Sequence, residues 1–169
     1  MVAAQCYNDW FSNYLEKTVR LVRMNNEKMR SRKLSVAPYM TDMSYADGYP
    51  FLILSRASVA QLNAELMEFG ESSVDIRQFR ANLIVDECQP FEEDKLKSFR
   101  VGDCHFNMIK PCARCQVITV NQDTGQPSKQ PLKHLAKTRN SGNKVIFGMN
   151  AAFVSGSQIN VDDEIIKAV

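Results

Sequence analysis

No apolar run in this chain approaches the roughly 20 residues that cross a bilayer, so no membrane span is expected. The N-terminus lacks the charged-then-apolar layout of a secretory signal. An excess of one charge is also missing. The net +2 gives no general case for nucleic acid or membrane binding, so an anion site must come from local clustering of Lys and Arg. Histidine is scarce: His105 and His134 leave little to build a Ser-His-Asp site from, and there is no serine elbow. A Gly-rich phosphate loop and a dinucleotide fingerprint are both absent. Cysteine is sparse and odd in number (Cys6, Cys88, Cys104, Cys112 and Cys115), unlike a disulfide framework. A reducing, cytoplasmic location with free thiols is the expectation.

What is present reads as one globular core. With 44% hydrophobic and 24% charged residues over 169 positions, the chain has the composition and length for a single domain over residues 1–169. Residues 1–46 read as its N-terminal helix, a strand and a basic loop. Aromatics at Trp10, Phe11 and Tyr14 suit a short helix docked on a core, and residues 18–22 alternate toward a strand. Lys28, Arg30, Arg32 and Lys33 then cluster in a segment that reads as a solvated loop. Residues 51–54 form a short apolar run of buried-strand type after a turn at Asp47-Gly48-Tyr49-Pro50. Ser58, with Gln61 three residues on, suggests a helix N-cap, and Val59, Leu62, Leu66 and Phe69 form the stripe behind it, stopped by Gly70.

Further strands are expected at residues 82–85, at 104–109 with Cys104, Phe106 and Met108 on one face, and at the β-branched run 116–120. After a turn at Asp123-Thr124-Gly125, residues 132–137 suggest one or two helical turns. Residues 145–147, 159–161 and 165–166 read as late strands. The acidic runs Glu92-Glu93-Asp94 and Asp162-Asp163-Glu164 read as solvated loops rather than acid–base pairs. Many short strands with few helices predict a mixed α/β, mainly β fold: a β-barrel core with a few peripheral helices.

The chemically densest stretch is Lys110-Pro111-Cys112-Ala113-Arg114-Cys115-Gln116. Zinc would use Cys-x-x-C as half a site, but no second pair stands at ligand spacing. Thioredoxin-like redox chemistry wants the pair to open a helix, whereas a strand-like run follows it here. A thiolate bound to a soft metal fits better, because flanking cations such as Lys110 and Arg114 favour the thiolate. Two small buried cysteines beside a strand account for the residues equally well.

A series of segments then resembles the MOSC domain, the module shared by the C-terminal part of eukaryotic molybdenum cofactor sulfurases and by amidoxime-reducing molybdenum enzymes. In order, they are Asp47-Gly48-Tyr49-Pro50-Phe51-Leu52-Ile53-Leu54, Ala57-Ser58-Val59 to Leu62-Asn63, Phe79-Arg80-Ala81-Asn82-Leu83-Ile84-Val85, Phe91-Glu92-Glu93-Asp94 and Val101-Gly102-Asp103. Lys110-Pro111-Cys112-Ala113-Arg114-Cys115, Asp123-Thr124-Gly125, Pro131-Leu132-Lys133 and Phe147-Gly148-Met149-Asn150 complete it. The resemblance covers most of the chain from about Asp47 onward, and its strength lies in the order of the pieces.

The resemblance implies a molybdenum cofactor (molybdopterin) with Cys115 as the sulfur ligand to the metal. It places Arg80, Ala113, Arg114 and Asn150 along the cofactor: the arginines suit the pterin phosphate, Asn150 the pterin's mixed donors and acceptors, and Ala113 offers only backbone. Surface ion pairs worth about 0–1 kcal/mol are the plainer reading of the arginines. Asp47 matches an acid near the metal and reads equally as a turn cap.

Within the family the sequence is most similar to the sulfurase C-terminal domain, which implies presentation of the cofactor for sulfuration as part of a sulfurtransferase. Its partners would be the sulfurase aminotransferase-like domain, with its pyridoxal phosphate, or molybdoenzymes that receive the cofactor. An amidoxime-reductase type that reduces N-hydroxylated compounds is the alternative, and a degenerate, non-catalytic MOSC interaction module is the third. The family's preceding β-rich domain and the aminotransferase-like domain have no counterpart in these residues. The chain is therefore expected to be a fragment or a reduced relative, not catalytically complete alone.

Overall fold

The computed structural model describes residues 2–24, 30–33, 40–43, 45–46 and 48–168, with backbone alone for 30–33, 40–43 and 168. Asp47 and Lys28 lie outside the described residues, as do the side chains of Arg30, Arg32 and Lys33.

The helix α1 forms at Gln5–Tyr14, but among the described residues its aromatics join no buried core cluster: Trp10 stacks on Tyr14 at 5.4 Å and both are exposed. The buried member is Asn8, whose Oδ1 accepts from Leu21 N at 2.8 Å, while Ser12 bonds both backbone groups of Val19. These side chains occupy the backbone groups a strand would need, so the strand expected at 18–22 reduces to a bridge between Val2 and Val22. The strands β1 (Arg30–Lys33) and β2 (Met40–Met43) form an antiparallel pair.

The main sheet begins with β3 (Phe51–Ser55), which leads into α2 (Arg56–Glu68) and returns as β4 (Leu83–Val85), parallel to β3. The N-cap of α2 is Ser55, not Ser58: Ser55 Oγ accepts from Ser58 N at 3.0 Å, one turn earlier than the expected cap. Ser58 is instead fully buried and donates to Glu93 Oε1 at 2.7 Å. Val59, Leu62 and Leu66 form the buried stripe, whereas Phe69, past the last turn, is 74% exposed. Gly70 ends the helix at φ +71, where its lack of a Cβ removes the steric penalty.

The strands β5 (Ser98–Val101), β6 (Cys104–Ala113), β7 (Asn140–Ser141), β8 (Lys144–Ser155) and β9 (Ile165–Ala168) follow, with α3 at Leu132–Thr138. The order β4-β3-β8-β6-β5-β9, with β7 paired to β8, makes a curled half-barrel with two edges. Residues 159–161 form no strand; β9 starts only at Ile165.

Alternation along β6 buries Cys104, Phe106 and Met108 on one face with Ile53, Phe99, Val101, Met149 and Ala151. The other face packs Leu54, Phe147, Ile118 and Leu135 against the α2 stripe and Phe79. Phe147 and Met149 are two residues apart yet belong to opposite cores. Gly148 between them has φ +75, and β8 gains a residue against β6 there, pairing Met149 with Pro111 but Ile146 with Ala113. A Cβ at 148 would stand 2.9 Å from Ile53 O, so both the turn of the chain and the closeness of β3 require glycine. Pro111, which has no N–H, sits within this shifted register.

Candidate functional site

Two short 3-10 turns meet beside the end of β6. The first, Ile76–Phe79, is closed by Asp75: its Oδ1 accepts from Arg77 N at 2.7 Å, and Gln78 Oε1 accepts from Asp75 N at 3.0 Å. The Arg77 guanidinium donates to Asp75 and holds that carboxyl below the usual carboxylate range. It also grips Asp123 through both oxygens, at 3.0 and 2.8 Å. The turn ends at Arg80, whose backbone is left-handed at φ 56, an arrangement that costs about 1–2 kcal/mol for a residue with a Cβ. Its guanidinium-bearing side chain is exposed. Asn82 then fastens the chain to β3, with Asn82 N donating to Leu52 O at 2.9 Å and Asn82 Oδ1 accepting from Leu52 N at 2.8 Å.

The second turn, Gln116–Thr119, replaces the strand expected at 116–120. Its β-branched residues fit a turn here because burial selects only part of the run. Ile118 is fully buried in the α2 core, Thr119 Oγ1 caps Gln116 O at 2.7 Å, and Val117 is exposed. Cys115 is the N-cap residue of this turn, and its thiol is free and exposed. The Cys pair thus runs from the end of an antiparallel strand, which holds Cys112, to the head of a helical turn, and among the described residues no βαβ unit surrounds it.

Arg114 lies between strand and turn and faces inward. Its N–H continues the β6–β8 pairing by donating to Val145 O at 2.8 Å. Nη2 donates to Phe79 O at 2.7 Å and Nη1 to Cys112 Sγ at 3.2 Å. Arg114 Nε is buried and finds no partner among the described residues. The cation expected to flank both thiols therefore serves Cys112, two residues back, rather than Cys115. Lys110 does not serve the thiols either; its Nζ sits 4.8 Å from the centre of the Tyr49 ring.

Asn150 pairs with Lys110 on one side of β8 and with Leu52 on the other, and its Nδ2 donates to Pro111 O at 3.3 Å. Ala113 is exposed at the last position of β6. The fold thus draws Arg80, Arg114, Cys112 and Cys115 toward one end of the sheet and anchors Asn150 to the strand that leads there. Sequence reasoning missed Gln78 and the Phe79 carbonyl, the groups that hold these pieces. The spacing Asp75-x-x-Gln78 is a capping-box signal that could have found the first.

The acidic run is not wholly solvated: Glu93 is 2% exposed, and its Oε1 accepts from Ser55 N at 3.2 Å as well as from Ser58. Among the described residues no group of three or more His, Cys, Asp or Glu side chains is gathered for a metal ion. A cleft of about 440 Å³ shares Gln78 and Thr119 with the turn junction and takes in neither Cys115 nor Arg80. Among the described residues no helix is long and apolar enough to cross a membrane.

Comparison with known proteins adds an independent finding. The family model described as MOSC domain matches residues 40–166. A molybdenum cofactor sulfurase from Oryza sativa subsp. japonica is 32% identical over 156 residues, taking in 84% of this chain and 19% of that protein. The molybdenum cofactor sulfurase of Danio rerio is also 32% identical over 156 residues, with 86% of this chain and 18% of the relative covered. Mitochondrial amidoxime-reducing component 1 from Homo sapiens is 30% identical over 169 residues, covering 92% of this chain and 49% of the relative. The chain thus spans less than a fifth of these sulfurases and about half of the amidoxime-reducing component.

Proposed function

Because the chain belongs to the MOSC domain family, we propose that it binds the molybdenum cofactor and presents it for sulfuration, with Cys115 as the sulfur ligand to the metal. The observation that carries this is the exposed, free Cys115 thiol at the head of a turn that meets the turn bearing Arg80. The donor set fits the group. An accessible sulfur suits a soft metal that has one protein ligand, and the Arg80 guanidinium is exposed to an anion. Arg114 Nε, buried and without a partner among the described residues, leaves one donor at this junction unassigned. When bound, the cofactor supplies the metal centre and its sulfur-accepting or redox chemistry. In this reading Arg80 holds the pterin phosphate, while Arg114 acts chiefly through the Phe79 carbonyl and Cys112. Asn150 and the Ala113 backbone line the cofactor, and the resemblance alone assigns Asp47 as an acid near the metal. Pyridoxal phosphate belongs, on the resemblance, to an aminotransferase-like domain and is not proposed for this chain. A cytoplasmic location completes the reading.

A second reading draws support from one observation: the match to the amidoxime-reducing component extends over 92% of this chain. In that reading the loaded chain itself reduces N-hydroxylated compounds with electrons from a partner.

The test is metal analysis of the chain purified from cofactor-replete cells. Wild type is expected to retain molybdenum, and Cys115→Ala to lose it while matching the thermal midpoint of cofactor-free wild type, since an exposed thiol contributes little to stability. Molybdenum retained by Cys115→Ala would remove the ligand assignment. Reduction of a simple amidoxime by the loaded wild type with an electron donor would transfer the proposal to the second reading.

A further inference from the structure

The turn that carries Arg80 and the turn headed by Cys115 come from stretches of chain some forty residues apart, joined by the Gln78–Ile118 bond (|i−j| = 40). Gln78 is only 5% exposed, and both ends of its amide are used. Oε1 accepts from Asp75 N at 3.0 Å, closing the arginine turn; Nε2 donates to Ile118 O at 2.9 Å, inside the cysteine turn. Ile118 N in turn donates to Cys115 O at 3.4 Å. Two hydrogen bonds of the Gln78 amide and the backbone of Ile118 therefore link the peptide before Arg80's turn to the carbonyl of the proposed ligand.

Apolar contact also draws the two turns together, since Phe79 and Ile118 share the α2 core. That force has no direction and allows one turn to slide past the other. A hydrogen bond fixes both distance and angle. The amide is suited to this position because it is neutral, buried without a charge penalty, and both accepts and donates. A carboxylate would set an acceptor against Ile118 O, and an apolar side chain would leave Asp75 N and Ile118 O unpaired.

We infer that Gln78 is a positioning residue of the cofactor site, setting the offset between the Arg80 and Cys115 turns. The inference rests on the cofactor reading above. Its removal is expected to loosen the site more than the fold, because Phe79 and Ile118 stay packed in the α2 core without it.

The experiment uses the full chain with Gln78→Met, which keeps the length and loses both bonds. Gln78→Asn, which keeps the amide on a stem one methylene shorter, serves where Gln78→Met does not fold. The control is Ser55→Ala, which removes a buried hydrogen bond at the start of α2. Two quantities are read: molybdenum retained after loading, and the iodoacetamide alkylation rate of Cys115 relative to the exposed Cys6, measured by peptide mass in the chain without cofactor. In Gln78→Met the retained molybdenum is expected to fall about tenfold, the scale of one or two lost buried hydrogen bonds, and the Cys115-to-Cys6 rate ratio to change several-fold. Gln78→Asn should move both quantities the same way by less, while Ser55→Ala lowers the melting temperature and leaves both unchanged. A wild-type rate ratio in both Gln78 variants, or the same change in Ser55→Ala, overturns the inference. If wild type retains no molybdenum, the cofactor reading fails, and the rate ratio alone still decides whether Gln78 positions Cys115.

Discussion

Around Phe106 the sheet is held by apolar area, and around Arg114 by directional donors. Phe106 is 2% exposed, stacks on Phe99 at 5.1 Å and meets Phe51 and Phe153 edge-on. Arg114, eight residues further along the same stretch of chain, spends its guanidinium on one carbonyl and one sulfur. The first region tolerates small shifts because contact energy is spread over many atoms. The second does not, since a hydrogen bond weakens steeply with misalignment. One strand thus runs from a region that supplies stability into one that supplies geometry, and the proposed ligand lies just past its geometric end.

The largest effect expected from breaking this contrast is at Phe106. Phe106→Ala should cost about 3–5 kcal/mol in urea unfolding, the range for a buried aromatic truncated to alanine. A loss under about 1 kcal/mol would show that this face is not the main core. Next is Arg114→Lys, which keeps the charge but cannot span Phe79 O and Cys112 Sγ together. With no cofactor present it should cost about 1–3 kcal/mol, as for hydrogen bonds made by charged groups. Unchanged unfolding would mean that Arg114 serves a ligand alone.

The smallest effect lies at the rim, where Asp103 accepts from the Ser157 hydroxyl at 2.7 Å, from Gln158 N at 3.0 Å and from Ser157 N. These bonds, the hydroxyl's foremost, hold its carboxyl well below the usual carboxylate range. A depressed folded-state pKa gives stability that is present above the unfolded value near pH 4 and lost as pH falls. Asp103→Asn should therefore flatten the decline of the melting temperature below about pH 4 and leave its slope near pH 7 unchanged. A variant whose acid profile matches wild type would remove this role.

Much of the sheet was legible because its cores obey simple periods. Cys104, Phe106 and Met108 alternate, and Val59, Leu62 and Leu66 repeat at helical spacing, so pattern and burial agree. The errors fall where a side chain competes for the backbone. Ser55 rather than Ser58 caps α2 because Glu93, 35 positions beyond Ser58, claims the Ser58 hydroxyl, and no local window contains that contact. Residues 116–120 have strand-forming side chains, yet burying Ile118 against α2 and capping through Thr119 bends them into a turn. At the site, the adjacent residues Arg114 and Cys115 could be read together. Their opposite settings, one turned inward and one exposed, could not, because they depend on the Phe79 carbonyl brought in by the fold.

The flip of β8 at Gly148 limits how this site can be redesigned. In a library that varies the strand leading to Asn150, position 148 has no spare alphabet: any Cβ would press on the Ile53 carbonyl and also meet a disfavoured φ. New chemistry is better introduced at Gln116, which is exposed beside Cys115 and carries no assigned contact with the cofactor.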